Sequence, residues 1–297
     1  MIKKIVVLSG KGGTGKTTIT GALHHLLGTH VLADCDVDAS NLHLLIPHKV
    51  LETVHYVGGN KAKILSEFCI WCGSCENICR FDAVKFDTEK GYFIDPYACE
   101  GCKACTYVCP QNCIAIEKNY SGEYYHSQTM EENAESLDFF HAHLYPGEET
   151  SGGLVAEVVN LSMKYGEEKS VPYLLVDGAP GIGCAATSSI VGAYYILIVT
   201  EPTESGFHDM KRLIETIHNF HSPFGIVINK WDINPDKTRE IMDFAKKNNY
   251  TLMGNIPMDS KVVQSTAKGK SIMEEEDSPA AKSIREIFMK IQKELKI

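Results

Sequence analysis

The chain has 297 residues, 44% of them hydrophobic and 23% charged, an ordinary composition for a globular protein of one large or two modest domains. A formal net charge of −9 excludes a broad nucleic-acid surface, which needs an excess of Lys and Arg, and no apolar run approaches the roughly 18 residues of a membrane span. The opening MIKKIVVLSG has the lysines of a signal peptide, but its apolar stretch is short and no small-residue cleavage site follows. A first strand is expected there instead, in a cytoplasmic protein. Nine of the eleven cysteines fall between Cys69 and Cys113, and such clustering in that compartment points to metal rather than disulfides.

Lys4–Leu8 (KIVVL) reads as a strand buried on both faces. The glycine-rich GKGGTGKT follows at 10–17, then a helix over 16–27 with Ile19, Ala22, Leu23, Leu26 and Leu27 at helical spacing. Residues 31–33 predict a short strand that runs into DCDVD. Composition changes at Gly58-Gly59, and the cysteines occupy the stretch to about Lys118 with short connections and little helical periodicity. After Tyr120 a polar, aromatic-containing segment leads to the loop PGEETSGG at 146–153. Alternation then resumes, with helices expected over 154–166, 185–191, 206–219, 236–248 and 279–295 and strands over 173–176, 193–200, 225–228 and 251–255. This rhythm predicts an α/β fold, a doubly wound and mostly parallel sheet with helices on both faces. The cysteine segment interrupts it, so a small domain at 59–119 is read as inserted into an α/β domain built from 1–58 and 120–297.

Residues 10–17 match G-x-x-x-x-G-K-[ST], and a strand precedes the loop while a helix follows it, as a phosphate loop requires. Gly10, Gly12, Gly13, Thr14 and Gly15 turn backbone N–H groups toward phosphates, and the helix beginning at Lys16, Thr17 and Thr18 offers its positive end. Lys16 reaches the β- and γ-phosphates of ATP, or the β-phosphate of ADP, and Thr17 gives its hydroxyl to Mg²⁺.

The second lysine of the loop, Lys11, makes the chain resemble the MinD/ParA family of deviant Walker A ATPases, to which the iron–sulfur cluster carriers and the nitrogenase iron protein belong. The resemblance implies a dimer that sandwiches two ATP molecules, with Lys11 reaching the partner's nucleotide. It implies that DCDVDASNL at 34–42 is a first switch, in which Asp36 orients or deprotonates the attacking water near Mg²⁺, with Asp38 a weaker candidate. It implies that LLVDGAPG at 174–181 is a second switch delivering Asp177 to the Mg²⁺ shell. Asn229 resembles the asparagine that contacts adenine, Pro257 in NIPMDS the residue packed on the base, and 199–212 a loop that changes with nucleotide state. Carboxylates at strand ends are also common helix caps, so the aspartates draw their weight from the loop beside them.

Cys69, Cys72, Cys75 and Cys79 follow C-x2-C-x2-C-x3-C, and Cys99, Cys102, Cys105 and Cys109 repeat it with Pro110 after the last. That is the pattern of two-cluster bacterial ferredoxins, in which the fourth thiolate of each run serves the other cluster. Cys69, Cys72, Cys75 and Cys109 are thus assigned to one [4Fe–4S] cluster, and Cys79, Cys99, Cys102 and Cys105 to the second. Zinc, which takes four ligands as two separated pairs, fits eight thiols in two like runs poorly. Arg80 stands where the first run would carry proline, which touches no ligand but bears on the potential or exposure of the cluster that Cys79 holds. Cys113 and Cys35 read as buried structural thiols. Cys184 lies at the offset from the second switch where the nitrogenase iron protein has a cluster ligand, but PGEETSGG holds no second cysteine, and a structural role is expected. The C-terminal helix places Ile284, Ile287, Phe288 and Ile291 at helical spacing and is expected to pack on the sheet rather than target a membrane.

The layout resembles MinD-superfamily ATPases with an inserted 2[4Fe–4S] ferredoxin domain. That resemblance implies an ATP-hydrolysing homodimer, or a heterodimer with a paralogue, that gates electron transfer to a metalloprotein or metal-cofactor assembly partner. The alternatives are a cluster or metallocofactor carrier, against which the absence of a C-terminal C-x-x-C counts, and a positioning ATPase. Neither nucleic acid nor membrane is an expected partner.

Overall fold

A computed structural model describes residues 2–130 and 135–295, and these divide into two compact units. The first comprises residues up to Val54, Tyr124–His143 and Ser151 onward; the second comprises His55–Glu123 and Leu144–Thr150.

In chain order the elements open with β1 (Lys3–Leu8), α1 (Lys16–Leu26), β2 (Val31–Asp34) and β3 (His48–Ile64). There follow α2 (Ser74–Ile78), β4 (Val84–Asp87), β5 (Gly91–Ile94), α3 (Ala104–Val108), β6 (Ile114–Thr129) and β7 (Asp138–Leu144). The remainder is α4 (Ser151–Glu168), β8 (Tyr173–Asp177), α5 (Cys184–Ile190), β9 (Tyr195–Thr200), α6 (Glu204–His218), β10 (Phe224–Asn229), α7 (Pro235–Lys247), β11 (Thr251–Ile256), α8 (Ser260–Ala267) and α9 (Pro279–Leu295).

The large sheet has the order β11-β10-β9-β1-β8-β2-β7-β6-β3. Its strands from β11 to β7 pair in parallel, with Val6 opposite both Val176 and Ile196. β1, β8 and β9 are buried on both faces, which explains their unbroken apolar runs. One side chain breaks the pattern. Lys4 is 2% exposed within β1 and donates from Nζ to the carbonyl of Val191. The parallel α/β architecture matches the expectation from the βαβ rhythm.

The other edge of the sheet differs from the sequence reading. Residues 48–64, 114–129 and 138–144 are strands, where the sequence reading assigned no element to the polar, aromatic-containing segment after Tyr120. Thr129 N–H bonds to the Leu137 carbonyl and Tyr145 N–H to that of Ser121, the falling register of an antiparallel pair. Met130 N–H to Pro47 and Leu65 N–H to Cys113 give β3 and β6 the same sense. β3 is mostly exposed, so the polar residues that hid it from periodicity are those of a solvated ribbon. It runs unbroken through Gly58-Gly59, where the sequence suggested a domain boundary. The helix α8 also escaped notice, having one buried side chain among its residues, Ser265.

α9 buries Ala280, Ala281, Ile284, Ile287, Phe288, Ile291 and Leu295, which join the core with α1 and β11. Its apolar face is therefore committed to packing. No helix among the described residues is long and apolar enough to cross a membrane.

On β7, His141 is 7% exposed, stacked between Tyr125 and Phe139 and flanked by His43 and His48 at ring separations of 5.7 and 5.2 Å. Its Nε2 shares a hydrogen bond with Ser127 Oγ. Burial, with His48 and His43 nearby, pushes its pKa down to about 3. The unfolded chain takes that proton near pH 6.5 and the folded chain resists it, so stability is full at neutral pH and falls as the pH drops below about 6.5. We expect a loss of up to about 1.4 kcal/mol per pH unit from this site. His141→Phe should flatten the fall of Tm between pH 7 and 5; an unchanged slope would assign the acid sensitivity elsewhere.

Candidate nucleotide site and thiol-lined cavities

The loop between β1 and α1 takes left-handed backbone angles at Gly13 and Gly15, with φ of 79° and 90°. At Gly15 a side chain would also strike the Asn229 amide, so glycine is needed there twice over. Gly10 is needed for a different reason: a Cβ would lie 2.6 Å from the Asp209 backbone of α6. Beside the loop opens a cleft of about 910 Å³ lined by Ser9, Gly12, Gly13, Gly15, Lys16, Thr17, Thr18 and Asp36. Asn41, Leu44, Leu45, Pro180 and Thr266 complete its wall.

Lys16 is 5% exposed and its Nζ lies 2.9 Å from Asp177 Oδ1 and 3.7 Å from Asp36 Oδ2. Burial acts to lower its pKa, but Asp177, Asp34 and Asp36 outweigh that and hold it above the usual lysine value. Asp177, fully buried at the end of β8, accepts from Thr17 Oγ1 at 2.7 Å and Thr20 Oγ1 at 2.8 Å. One cation, two carboxylates and two hydroxyls thus converge behind the loop. Thr14 Oγ1 is buried with no hydrogen-bond partner, a donor of the kind a phosphate oxygen satisfies. The residues fit a nucleotide with Mg²⁺.

Asp34 was not singled out from the sequence. It is fully buried at the end of β2 and accepts from Asp36 N–H at 3.0 Å, Ser40 Oγ at 2.7 Å and Leu42 N–H at 3.1 Å, so it shapes the loop that carries Asp36. Burial and the neighbouring Asp177 push its pKa up to about 7. Its only sequence signal is a first aspartate in DCDVD, indistinguishable by spacing from the others. Asp38 is exposed and outside the cleft wall.

Two expected nucleotide contacts sit elsewhere. Asn229 Nδ2 donates to the Thr14 carbonyl at 2.7 Å while its Oδ1 accepts from Lys230 N–H, so its amide holds the loop. Neither Asn229 nor Pro257 lines the cleft. Lys11 is held within its own chain: Nζ pairs with Glu201 Oε1 at 2.6 Å and donates to Ser205 Oγ and Thr203 Oγ1. Glu201 also receives Lys230 at 3.4 Å. Its burial favours the acid form, but the Lys11 and Lys230 contacts outweigh that and keep its pKa below the usual carboxylate value.

The second unit places the eight ladder cysteines around two cavities. Cys69, Cys72, Cys75 and Cys109 line one of about 330 Å³, together with Cys113. Cys79, Cys99, Cys102 and Cys105 line the other, of about 340 Å³. Each run therefore sends its fourth thiol to the cavity of the other. Among the described residues no three His, Cys, Asp or Glu groups could hold a single metal ion. The thiols instead form two sets of four, and soft sulfur ligands suit an iron–sulfur cluster. The residues fit. Ala62, Val84 and Ile114 with Ile64, Tyr92 and Ile94 pack around both sets and form the unit's small core.

Residues 5–272 match the family described as the CobQ/CobB/MinD/ParA nucleotide binding domain. The chain belongs to that family. It is 32% identical to an uncharacterized protein of Methanocaldococcus jannaschii over 98% of this chain and 97% of the relative. A shorter stretch, 18% of the chain, is 37% identical to ferredoxin-1 of Chlorobaculum tepidum over 94% of that protein. Among solved structures, the septum site-determining protein MinD of Pyrococcus horikoshii, in complex with Mg-ADP, superposes with a TM-score of 0.57. At 18% identity, over 99% of this chain and 97% of that one, the likeness shows a shared MinD-type fold.

Within this MinD/ParA-type fold the three remaining cysteines differ. Cys35 is fully buried and Cys113 is 4% exposed, whereas Cys184 is exposed at the start of α5. Cys184 packs so close to α4 that a side chain at Gly152 would lie 2.7 Å from its Cβ. Cys184→Ala is expected to leave iron content and ATP turnover unchanged; a loss of iron would make it a ligand.

Proposed function

We propose that the chain is an ATP-hydrolysing dimeric switch whose nucleotide state governs electron transfer through two [4Fe–4S] clusters to a metalloprotein or a metal-cofactor assembly partner. The observation that carries this reading is the sorting of the eight ladder thiols, four and four, between two cavities within a chain that also carries a complete phosphate loop. Cys69, Cys72, Cys75 and Cys109 would hold one cluster and Cys79, Cys99, Cys102 and Cys105 the other. Bound there, the clusters supply one-electron chemistry at low potential.

The nucleotide residues divide the work. The Gly12–Gly15 backbone and Lys16 hold phosphates, Thr17 and Asp177 orient Mg²⁺, and Asp36 positions the attacking water. Thr17 Oγ1 donates to Asp177, so the two residues that would hold Mg²⁺ already stand side by side. For Lys11 to reach a partner's nucleotide it must leave Glu201, Thr203 and Ser205, which frees the loop before α6 at the same time. Dimer formation and movement of that loop are thereby linked.

An anaerobic redox titration of the whole chain, followed by EPR with and without ATP and Mg²⁺, tests the reading. A nucleotide-dependent shift in potential or line shape is expected. Two clusters that titrate identically in both states would sink the coupling. The MinD-type fold favours a second reading, a positioning ATPase, although the apolar face of α9 is buried. ATP-dependent co-sedimentation with anionic liposomes would favour that alternative.

A further inference from the structure

The two cysteine runs are related by an internal repeat that carries Cys69 onto Cys99 and Cys79 onto Cys109, 30 positions on. The backbone follows it. Trp71 and Gly101 both have φ of 60°, Gly73 and Lys103 have 74° and 66°, and Asp82 and Asn112 both have 51°. Leu65 N–H bonds to the Cys113 carbonyl and Asp95 N–H to that of Ala83, each at 2.8 Å. One half of the repeat therefore serves as a control for the other.

The cavities agree in size and in their four thiols, and differ in the side chains beside those thiols. Cys113, 4% exposed, has its sulfur 3.5 Å from Cys109 Sγ; its counterpart beside the second cavity is Ala83, 2% exposed. Ser74 Oγ lies 3.4 Å from Cys72 Sγ; its counterpart is Ala104. At these two positions the first cavity thus has side-chain hydrogen-bond donors where the second has methyl groups; elsewhere Tyr92 and Gln111 line the first and Lys103 the second. The second has a backbone donor, Ala62 N–H at 3.5 Å from Cys99 Sγ, which no side-chain substitution removes.

We propose that Cys113 and Ser74 donate hydrogen bonds to the Cys109 and Cys72 sulfurs and raise the reduction potential of the cluster at that site alone, so that the two clusters form an unequal pair. The inference rests on the two-cluster reading above. Reduction adds negative charge that spreads onto the ligand sulfurs, so a donor aimed at a sulfur stabilises the reduced form more than the oxidised one. A thiol is the weaker donor of the two but the buried one, and it acts where water competes least.

The test is an anaerobic potentiometric titration of the full chain with dithionite, read by EPR and accompanied by iron analysis. Cys113→Ala with Ser74→Ala, which copies the second site onto the first, should lower one potential and leave the other. The expected displacement is about tenfold in the electron's distribution between the clusters, about 59 mV for a one-electron couple. Cys113→Ser, with Ser74 retained, keeps an O–H donor and should leave the potential close to the native value, a rescue that a purely space-filling role would not give. Both potentials unmoved at full iron content would overturn the proposal. Should the alanine variant fail to fold, the reciprocal Ala83→Cys and Ala104→Ser exchange should raise the second cluster's potential, and no rise there would overturn it equally. Native chain that binds no iron would overturn the two-cluster reading and this proposal together; full iron with unshifted variants would overturn this proposal alone.

Discussion

Replacing Lys16 with alanine is expected to remove ATP binding and, at the same time, to destabilise the folded chain. The side chain is 5% exposed, and its partner Asp177 is fully buried. Removing one member of a buried pair strands the other charge, at a cost of about 3–5 kcal/mol. Asp34 and Asp36 lie in the same field, so the stranded charge is shared among carboxylates that repel one another. The affinity for ATP should fall at least about 100-fold, or about 2.7 kcal/mol. The double variant Lys16→Met, Asp177→Asn separates the two effects. It should regain most of the stability, because the buried charge is gone, and none of the binding. Thermal melts and calorimetric ATP titration measure both. A single variant as stable as the native chain would mean that Asp177 takes up a proton when its partner is lost.

The second large effect concerns how the thiols are shared. Cys79→Ser should disturb the same cluster as Cys99→Ser, and Cys109→Ser the same cluster as Cys69→Ser, although sequence proximity pairs them the other way. The triple replacement of Cys69, Cys72 and Cys75 by serine should lower iron from about eight to about four atoms per chain. ATP binding should persist, since none of these residues lines the nucleotide cleft. EPR of the remaining cluster is the discriminating signal. If Cys79→Ser instead gave the spectrum of Cys69→Ser, each run would hold its own cluster and the crossed assignment would fail.

The parts of this protein that were legible in its sequence are those governed by local chemistry. A parallel strand buried on both faces must be apolar throughout, so β1, β8 and β9 declared themselves. A phosphate loop needs glycine at left-handed positions and a lysine at the helix start, a demand that few other sequences satisfy. The thiol runs were legible because close spacing lets one short stretch of chain set several thiols around one space. The ribbon of β3 and β6 was not, because β3 finds its partner on a strand distant in the chain and is mostly exposed, while burial along β6 follows no clean alternation. Asp34 and Asp36 are the same residue type two positions apart at the end of one strand. Only tertiary packing buries the first as a cap on the loop after β2 and turns the second toward Lys16. Lys11 and Glu201 stand far apart in sequence, and it is β1 lying beside β9 in the sheet that brings them to 2.6 Å. Sequence spacing determines what can be bound locally, because one or two turns of chain present those groups. Which distant carboxylate neutralises a cation is decided by the order of strands in the sheet.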